Sequence, residues 1–303
     1  MPGEAPRDPE ELEAATAPTD AEISALTTMG AVHLTVSELE PSMAYYRETI
    51  GLEVLDREEG HARLGADGRV LLVLVEEAGA RPGYGYTGLY HFALLLPERP
   101  DLARWLAHAI RDRVPLAGLS DHFVSEAIYL SDPDGHGIEI YCDRPREVWQ
   151  GQVGARMTTL PLDTADLLSE LDDAATEPFD GLSEGTVMGH VHLKVASIAE
   201  TVTFYRDLLG FGLMAQLGAQ AAFLAAGGYH HHLGANTWES AGAPAPPPGT
   251  AALRHATIVL PDSAARDRLL GRLEQSGVSP RQSPEGATVV DPSGNALVLT
   301  VTG

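Results

Sequence analysis

The chain has 303 residues, of which 44% are hydrophobic, and this suits two domains of about 100 to 150 residues with buried cores. The formal net charge is −23 and Lys194 is the only lysine. Nucleic acid is therefore not expected as a partner, because binding to a phosphate backbone depends on cationic groups that release counterions. No apolar run approaches the roughly 18 residues that cross a bilayer, so no membrane partner is expected either.

The N-terminal stretch, residues 1–27, is acidic and rich in Pro and Ala, and it lacks the apolar segment of a secretory signal. We expect this stretch to be disordered and the protein to be cytoplasmic. Cys142 is the single cysteine and cannot form an internal disulfide, which agrees with a reducing compartment. The sequence leaves the oligomeric state open and is compatible with a homo-oligomer.

The chain repeats itself at a spacing of 159 residues. The repeated pairs are Gly30-Ala31-Val32-His33-Leu34 with Gly189-His190-Val191-His192-Leu193, Tyr45-Tyr46-Arg47 with Phe204-Tyr205-Arg206, and Asp132-Pro133-Asp134-Gly135 with Asp291-Pro292-Ser293-Gly294. The halves are duplicates. They predict one domain over residues 28–143 and another over residues 187–303, joined by a linker over residues 144–186.

Each half divides again into two units of strand, helix and three strands. In the first unit the strand is 32–36, the helix is 41–50 with Gly51 after it, and the later strands are 54–56, 62–64 and 70–75. The other units are 89–143, 187–239 and 253–302, and a short acidic helix is predicted over 165–173 in the linker. Because such a unit leaves one apolar sheet face open, two units must pair. The predicted fold is α+β, with four βαβββ units paired into two incomplete mixed β-barrels with helices outside.

The order strand-His, Phe-Tyr-Arg-x-x-x-Gly and Asp-Pro-x-Gly-x-x-Ile-Glu resembles the vicinal oxygen chelate superfamily of glyoxalases, bleomycin resistance proteins and dioxygenases. The resemblance covers nearly the whole chain from Met29 onward. It implies that metal ligands come from the first and last strands of two paired units. The motif alone does not choose among the isomerases, dioxygenases, thiol transferases and drug-binding proteins that share it.

The candidate ligand positions differ between the units. The first strands offer Ala31, His91, His190 and His255, and the last strands offer the stretch near Leu74, then Glu139, the run His230-His231-His232, and Val298. Pairing in sequential order leaves each site incomplete. Pairing of the second unit with the third collects two histidines and a carboxylate, and we favour it.

The predicted metal ligands are thus His91, Glu139 and His190. This set leaves three coordination positions open, which suits Fe2+, although manganese and zinc stay open. Zinc would prefer a closed set of four ligands, with His232 added. The pairing of the first and fourth units is expected to be a scaffold without a metal. His33 and His192 share a face with the ligand positions.

Residues 121–141 around Glu139 resemble the last unit of extradiol dioxygenases. That resemblance implies that His122 contacts substrate or dioxygen and that Tyr129 hydrogen-bonds a substrate oxygen. It also implies a histidine base on the last strand of the partner unit. His231 fits that position first, whereas the alternation of a strand would put His230 and His232 together on the opposite face. Which of the three histidines acts stays open, with His231 and His232 as the named candidates.

The resulting hypothesis is an extradiol dioxygenase that inserts both atoms of O2 into a catechol-type ring next to the diol at a non-haem Fe2+. One alternative is a metal-dependent isomerase or transferase of the glyoxalase or fosfomycin-resistance type, which has no role for His122 and Tyr129 together. Another is a non-catalytic protein that binds a small molecule.

Overall fold

Two large sheets form the molecule in the computed structural model, which describes residues 14–15, 22–171 and 179–302. The ten-stranded sheet has the order β1 (Ala14–Ala15), β13 (Gly212–Leu217), β14 (Ala221–Ala225), β15 (Leu233–Asn236), β12 (Val187–Lys194), β7 (Gly88–Leu95), β10 (Gly137–Asp143), β9 (Ser125–Ser131), β8 (Gly118–Asp121), β11 (Leu160–Pro161). The eight-stranded sheet has the order β18 (Arg281–Ser283), β19 (Gly286–Val290), β20 (Ala296–Val301), β17 (Leu253–Leu260), β2 (Thr28–Val36), β5 (Arg69–Glu76), β4 (His61–Ala66), β3 (Glu53–Glu58). The short strands β6 (Arg81–Pro82) and β16 (Thr250–Ala251) pair separately.

Helices connect the strands of each unit. They are α1 (Leu39–Tyr45) with a π-helical turn (Tyr46–Ile50), α2 (Arg99–Asp112), α3 (Arg146–Trp149), α4 (Val153–Arg156), α5 (Thr164–Leu168), α6 (Ile198–Val202) with a second π-helical turn (Thr203–Leu208), and α7 (Ser263–Gln275). Helix α2 packs on β10, and α7 packs on β17 and β20. A single apolar cluster includes buried residues of both sheets, among them Val32, Leu74, Phe92 and Val191. The α+β fold of four paired units is confirmed.

The units pair out of sequential order. In the ten-stranded sheet, β7 of the second unit lies antiparallel to β12 of the third. In the eight-stranded sheet, β2 of the first unit lies antiparallel to β17 of the fourth. The predicted pairing of the second unit with the third is therefore confirmed. The division of the sequence into domains over 28–143 and 187–303 stays a prediction.

The first helix shows how local sequence sets these elements. The helix predicted over 41–50 is formed by α1 and the π-helical turn after it. Gly51 ends it with a positive φ of 94°, a conformation that glycine adopts at no steric cost. In the linker, α5 begins after Asp163, whose side chain accepts a hydrogen bond from the Asp166 amide. The helix ends at Leu168, so the helix predicted over 165–173 was too long, and residues 172–173 lie outside the described residues.

In each half of the sequence, a hydrogen bond joins the tyrosine of the repeated helix motif to the aspartate of the repeated Asp-Pro turn. The Tyr46 hydroxyl donates to Asp132 Oδ2 at 2.8 Å, and Tyr205 repeats this bond to Asp291 Oδ2 at 3.1 Å. In each half the other carboxylate oxygen accepts two backbone N–H groups of the Asp-Pro turn. All four side chains are buried. Because Tyr46 belongs to the first unit and Asp132 to the second, this bond also joins the two sheets.

The disorder predicted for residues 1–27 does not extend to the part of that stretch that the structure describes. The strand β1 pairs with β13, and Ile23 is buried with its amide bonded to the Gly210 carbonyl at 2.9 Å. The rest of the prediction lies outside the described residues. Across the described ranges, no helix has the length and apolar character needed to cross a membrane.

We expect Asp132→Ala to lower the free energy of unfolding by at least about 2 kcal/mol, because it leaves two buried amides and a buried tyrosine hydroxyl without an acceptor. Tyr46→Phe removes only one of these bonds and should cost about 1 kcal/mol. Urea unfolding of both variants measures the difference. Equal stability of Asp132→Ala and the wild type would contradict this assignment.

Candidate metal centre

Four neighbouring strands of the ten-stranded sheet place polar side chains on one face. In register across β9, β10, β7 and β12 lie Tyr129, Glu139, Ala93 and His190. In the adjacent row lie Ser131, Gly137, His91 and His192. Since residues two apart on a strand point to the same side, both rows face one cleft.

Small residues between the polar ones make room for them. Ala93 separates Glu139 from His190 in the first row, so their longer side chains can meet above its methyl group. Gly137 lies beside His91, and a Cβ there would come within 2.0 Å of the Tyr90 carbonyl oxygen. Only glycine fits at that position without moving the backbone.

A β-bulge positions His190. The register of β12 against β7 shifts between Met188 and His190, where Gly189 lies. A Cβ on Gly189 would lie 1.8 Å from the Tyr141 hydroxyl oxygen, so this glycine allows β12 to approach that ring. Bulges beside functional sites commonly re-aim a side chain, and this one directs His190 toward Glu139.

The three predicted ligand residues converge on one point. Glu139 Oε2 lies 3.0 Å from His91 Nε2 and 3.0 Å from His190 Nε2. The two Nε2 atoms are 3.4 Å apart. All three side chains are buried, and Glu139 is only 2% exposed. Within the described ranges, this is the one group of three or more His, Cys, Asp or Glu side chains close enough to share a metal ion.

The surroundings favour the ionised form of Glu139 and the neutral form of His190. Burial alone would raise the pKa of the Glu139 carboxyl. The charges of His190 and His91, and the hydrogen bonds that they donate, instead hold that pKa well below its usual range. Burial lowers the pKa of His190, although Glu139 opposes this shift. An ionised carboxylate with imidazole lone pairs is the form in which these residues bind metal ions.

The spacing of the three donor atoms fits a single divalent ion. Metal–ligand bonds of about 2.1 Å put neighbouring ligand atoms about 3.0 Å apart at octahedral angles and about 3.4 Å apart at tetrahedral angles. The distances from Glu139 Oε2 to the two histidine Nε2 atoms match the first value, and the distance between the two Nε2 atoms matches the second. Two imidazoles and one carboxylate grouped on one side correspond to the facial triad of non-haem iron sites.

His122 and Tyr129 lie together beside this triad. His122 Nδ1 is 2.7 Å from the Thr158 carbonyl oxygen, and His122 Nε2 is 2.7 Å from the Tyr129 hydroxyl. In the neutral imidazole, Nδ1 therefore donates to Thr158 and Nε2 can accept from Tyr129. Burial, and after it the charge of Glu139, raises the pKa of Tyr129 well above its usual value, so the phenol keeps its proton.

The three consecutive histidines were predicted to lie in the last strand of the third unit, and this prediction is wrong. The strand β15 begins at Leu233, and residues 230–232 belong to the loop before it. Gly227 and Gly228, both with positive φ, form a turn that starts this loop. The alternation expected of a strand therefore does not apply, and His230 Nδ1 contacts His231 Nδ1 at 2.8 Å.

His231 and His232 have different surroundings. The His231 ring lies 4.0 Å from the His190 ring, between centroids, and lines the cleft. Nδ1 of His232 accepts the Ala226 amide at 3.1 Å, and this residue is absent from the cleft lining. The structure thus brings His231 to the triad and gives His232 a bond to the backbone. Burial lowers the pKa of both, well below the usual value for His231 and to about 3 for His232.

The cleft is a cavity of about 970 Å³, at the upper end of the usual range for small-molecule sites. His91, Glu139, His122 and Tyr129 line one part of it. Other lining residues are Tyr90, Phe223, Trp238, Lys194 and Glu239. A cavity that carries both possible metal ligands and aromatic rings can hold a substituted ring.

His192 also lines this cavity, although the sequence offered only its place on the ligand face as a signal. Its ring packs near His91, Tyr90 and Trp238. Nε2 of His192 is buried and makes no hydrogen bond to any of the described residues. A polar atom in this state is available to a bound ligand.

The corresponding face of the eight-stranded sheet has a different composition. His33 and His255 stack there with ring centroids 3.8 Å apart, and His255 Nε2 lies 3.6 Å from Glu285 Oε2. Val298 occupies the strand position that Glu139 has in the other sheet. Within the described ranges the residues of this face do not form a group of three close enough to share a metal ion, and the scaffold role of this pairing stays a prediction.

A curled sheet of paired βαβββ units with ligands on facing strands defines a metal-binding superfamily fold. The model of the Glyoxalase/Bleomycin resistance protein/Dioxygenase superfamily matches residues 28–140 and 187–299. The catechol-2,3-dioxygenase of Bacillus subtilis (strain 168) is 42% identical over 281 residues, which cover 91% of this chain and 97% of that protein. The chain belongs to this superfamily.

Solved structures share the fold. Glyoxalase I from Zea mays aligns with a TM-score of 0.54 at 15% identity, over 90% of this chain and 92% of that one. The cppA protein from Streptococcus pneumoniae TIGR4 aligns with a TM-score of 0.53 at 14% identity, over 93% of this chain and 100% of that one. At such identities the likeness concerns the fold alone.

We expect Glu139→Gln to weaken binding of Fe2+ or Mn2+ at least about 100-fold, because a neutral amide replaces the only carboxylate of the triad. Glu239→Gln is the matched control, since Glu239 lines the same cavity outside the triad. Anaerobic isothermal titration measures both affinities. Equal weakening by the two variants would show that only the charge of the cavity matters.

Proposed function

We propose that this protein is an extradiol ring-cleaving dioxygenase that holds Fe2+ through His91, His190 and Glu139. Its substrates are then a catechol-type ring and O2. The observation that carries the proposal is the position of the bonded His122–Tyr129 pair next to a buried two-histidine, one-carboxylate cluster. The similarity to a relative named catechol-2,3-dioxygenase, over almost the full length of both chains, supports it.

Bound iron would supply a Lewis-acidic centre for the two diol oxygens and a means of electron transfer between the ring and dioxygen. The protein side chains would do the positioning and the proton transfer. Tyr129, opposite Glu139 in the sheet, can turn its hydroxyl hydrogen from His122 Nε2 to a substrate oxygen. His122 is oriented by the Thr158 carbonyl so that its Nε2 faces the same place.

His231 is the group suited to take the substrate proton. It lies next to His190 of the third unit, whereas Tyr129 packs against His91 of the second unit. Its imidazole lines the cavity and can accept a proton from a diol hydroxyl on the ring nitrogen that does not face His230.

The proposal is tested by loading the purified protein with Fe2+ without air, adding catechol and singly substituted catechols, and then admitting oxygen. We expect a rise in the absorbance of the yellow ring-opened semialdehyde and uptake of one O2 per ring. Glu139→Gln protein is the control and should give neither signal. The absence of both signals with every catechol would contradict the proposal.

We expect Tyr129→Phe to lower kcat about 10- to 100-fold while metal affinity stays within about twofold, because the hydroxyl lies near the substrate position and is not a ligand. Steady-state oxygen uptake and anaerobic metal titration measure the two quantities. A parallel loss of metal affinity would instead assign Tyr129 to the support of Glu139.

A further inference from the structure

A chain of hydrogen bonds leads from His231 away from the metal cluster. His231 Nδ1 is 2.8 Å from His230 Nδ1, and His230 Nε2 is 2.8 Å from Asp143 Oδ1. The other oxygen of Asp143 accepts the Tyr229 hydroxyl at 2.9 Å, and Tyr229 lies 2.8 Å from the Tyr141 hydroxyl. The proposed chemistry of the site so far uses only His231 of these residues.

The Asp143 carboxylate, at the end of this series of hydrogen bonds, decides which atoms donate and which accept. An ionised carboxylate only accepts, so His230 Nε2 carries a hydrogen and donates it to Asp143. In neutral His230, Nδ1 is then an acceptor, and the hydrogen in the contact with His231 must come from His231 Nδ1. His231 Nε2 is left with a free lone pair. Since His231 lines the cavity, that nitrogen is available to a substrate.

The surroundings hold His230 in place. Its side chain is 0% exposed, and the rings of Trp149 and Tyr229 enclose it at centroid distances of 5.5 Å and 4.0 Å. Trp149 is itself anchored by a bond from its Nε1 to the Arg144 carbonyl at 2.9 Å. A buried histidine with both ring nitrogens bonded has one orientation. Asp143 and His230 are therefore able to impose a tautomer on His231.

We propose that Asp143, His230 and His231 form a proton relay in which Asp143 and His230 are positioning residues that keep His231 Nε2 free to accept a proton in the cavity. The inference rests on the proposed function, because it takes a diol hydroxyl as the proton source. The substrate O–H bond breaks and an Nε2–H bond forms on His231. The His231 Nδ1–H bond breaks and an Nδ1–H bond forms on His230.

At the end of this transfer His231 is neutral again, and the positive charge lies on His230 against the Asp143 carboxylate. That location matters because the His231 ring lies 4.0 Å from the His190 ring, where a bound metal ion would repel a second positive charge. His230 is farther from His190, at 6.3 Å between ring centroids, and has a carboxylate beside it. Reversal of the two transfers returns the proton to the cavity when the ring opens.

The test uses Asp143→Asn in the full-length, iron-loaded protein. We expect kcat to fall about 100-fold, the usual size of a general acid–base contribution, with KM changed less than about twofold. His230→Gln should give the same pattern. Asp143→Glu, which restores a carboxylate, should recover part of the loss. Glu147→Gln is the control, since Glu147 is an exposed acid four residues further along and should leave kcat unchanged.

A second readout does not depend on turnover. In metal-free wild-type protein, ring ¹⁵N NMR should show hydrogen on His231 Nδ1 and on His230 Nε2, with signals assigned by comparison with His231→Phe and His230→Gln. In Asp143→Asn the His231 pattern should shift toward hydrogen on Nε2, because the amide can donate to His230.

The outcomes separate the relay from the function of the site. If the wild type cleaves catechols but Asp143→Asn and His230→Gln match it in kcat, the relay is wrong and the dioxygenase proposal stands. If the NMR spectrum of the wild type shows hydrogen on His231 Nε2, the relay is likewise overturned. If the wild type cleaves no catechol, the proposed function fails, and the tautomer pattern still decides whether the hydrogen-bonded chain is ordered as argued.

Discussion

The antiparallel contact of β7 with β12 is the interaction on which the metal cluster depends. It places His192 opposite His91 and His190 opposite Ala93, so that two strands from different halves of the chain present imidazoles to one face. The parallel pairing of β10 with β7 then adds Glu139 to the same face. Any other pairing of the four units would separate these three side chains, because no single unit contains more than two of them.

The duplicated chain thus yields two sheets of related topology and different chemistry. Each half of the sequence keeps one buried bond between a tyrosine of the helix and an aspartate of the Asp-Pro turn, and both bonds join units that belong to different sheets. One sheet carries the triad, whereas the other has stacked His33 and His255 with Val298 at the carboxylate position. Among the described residues, the buried group of possible metal ligands therefore lies in the ten-stranded sheet.

The sequence predicted the repeat, the four units and the convergence of His91, Glu139 and His190, because each of these depends on periodicity or on a motif at fixed spacing. The prediction that residues 230–232 lie in a strand was wrong, because the turn at Gly227 and Gly228 places them in a loop before the strand begins at Leu233. It also missed Asp143 and Tyr229. Asp143 lies 87 positions from His230, and nothing local in either segment indicates that the fold brings them into contact.

The most direct measurement is anomalous X-ray diffraction at the iron absorption edge from crystals grown without air in the presence of Fe2+. We expect one strong peak within bonding distance of His91 Nε2, His190 Nε2 and Glu139 Oε2. A peak beside His33 and His255 instead, or no ordered iron between the three side chains, would contradict it.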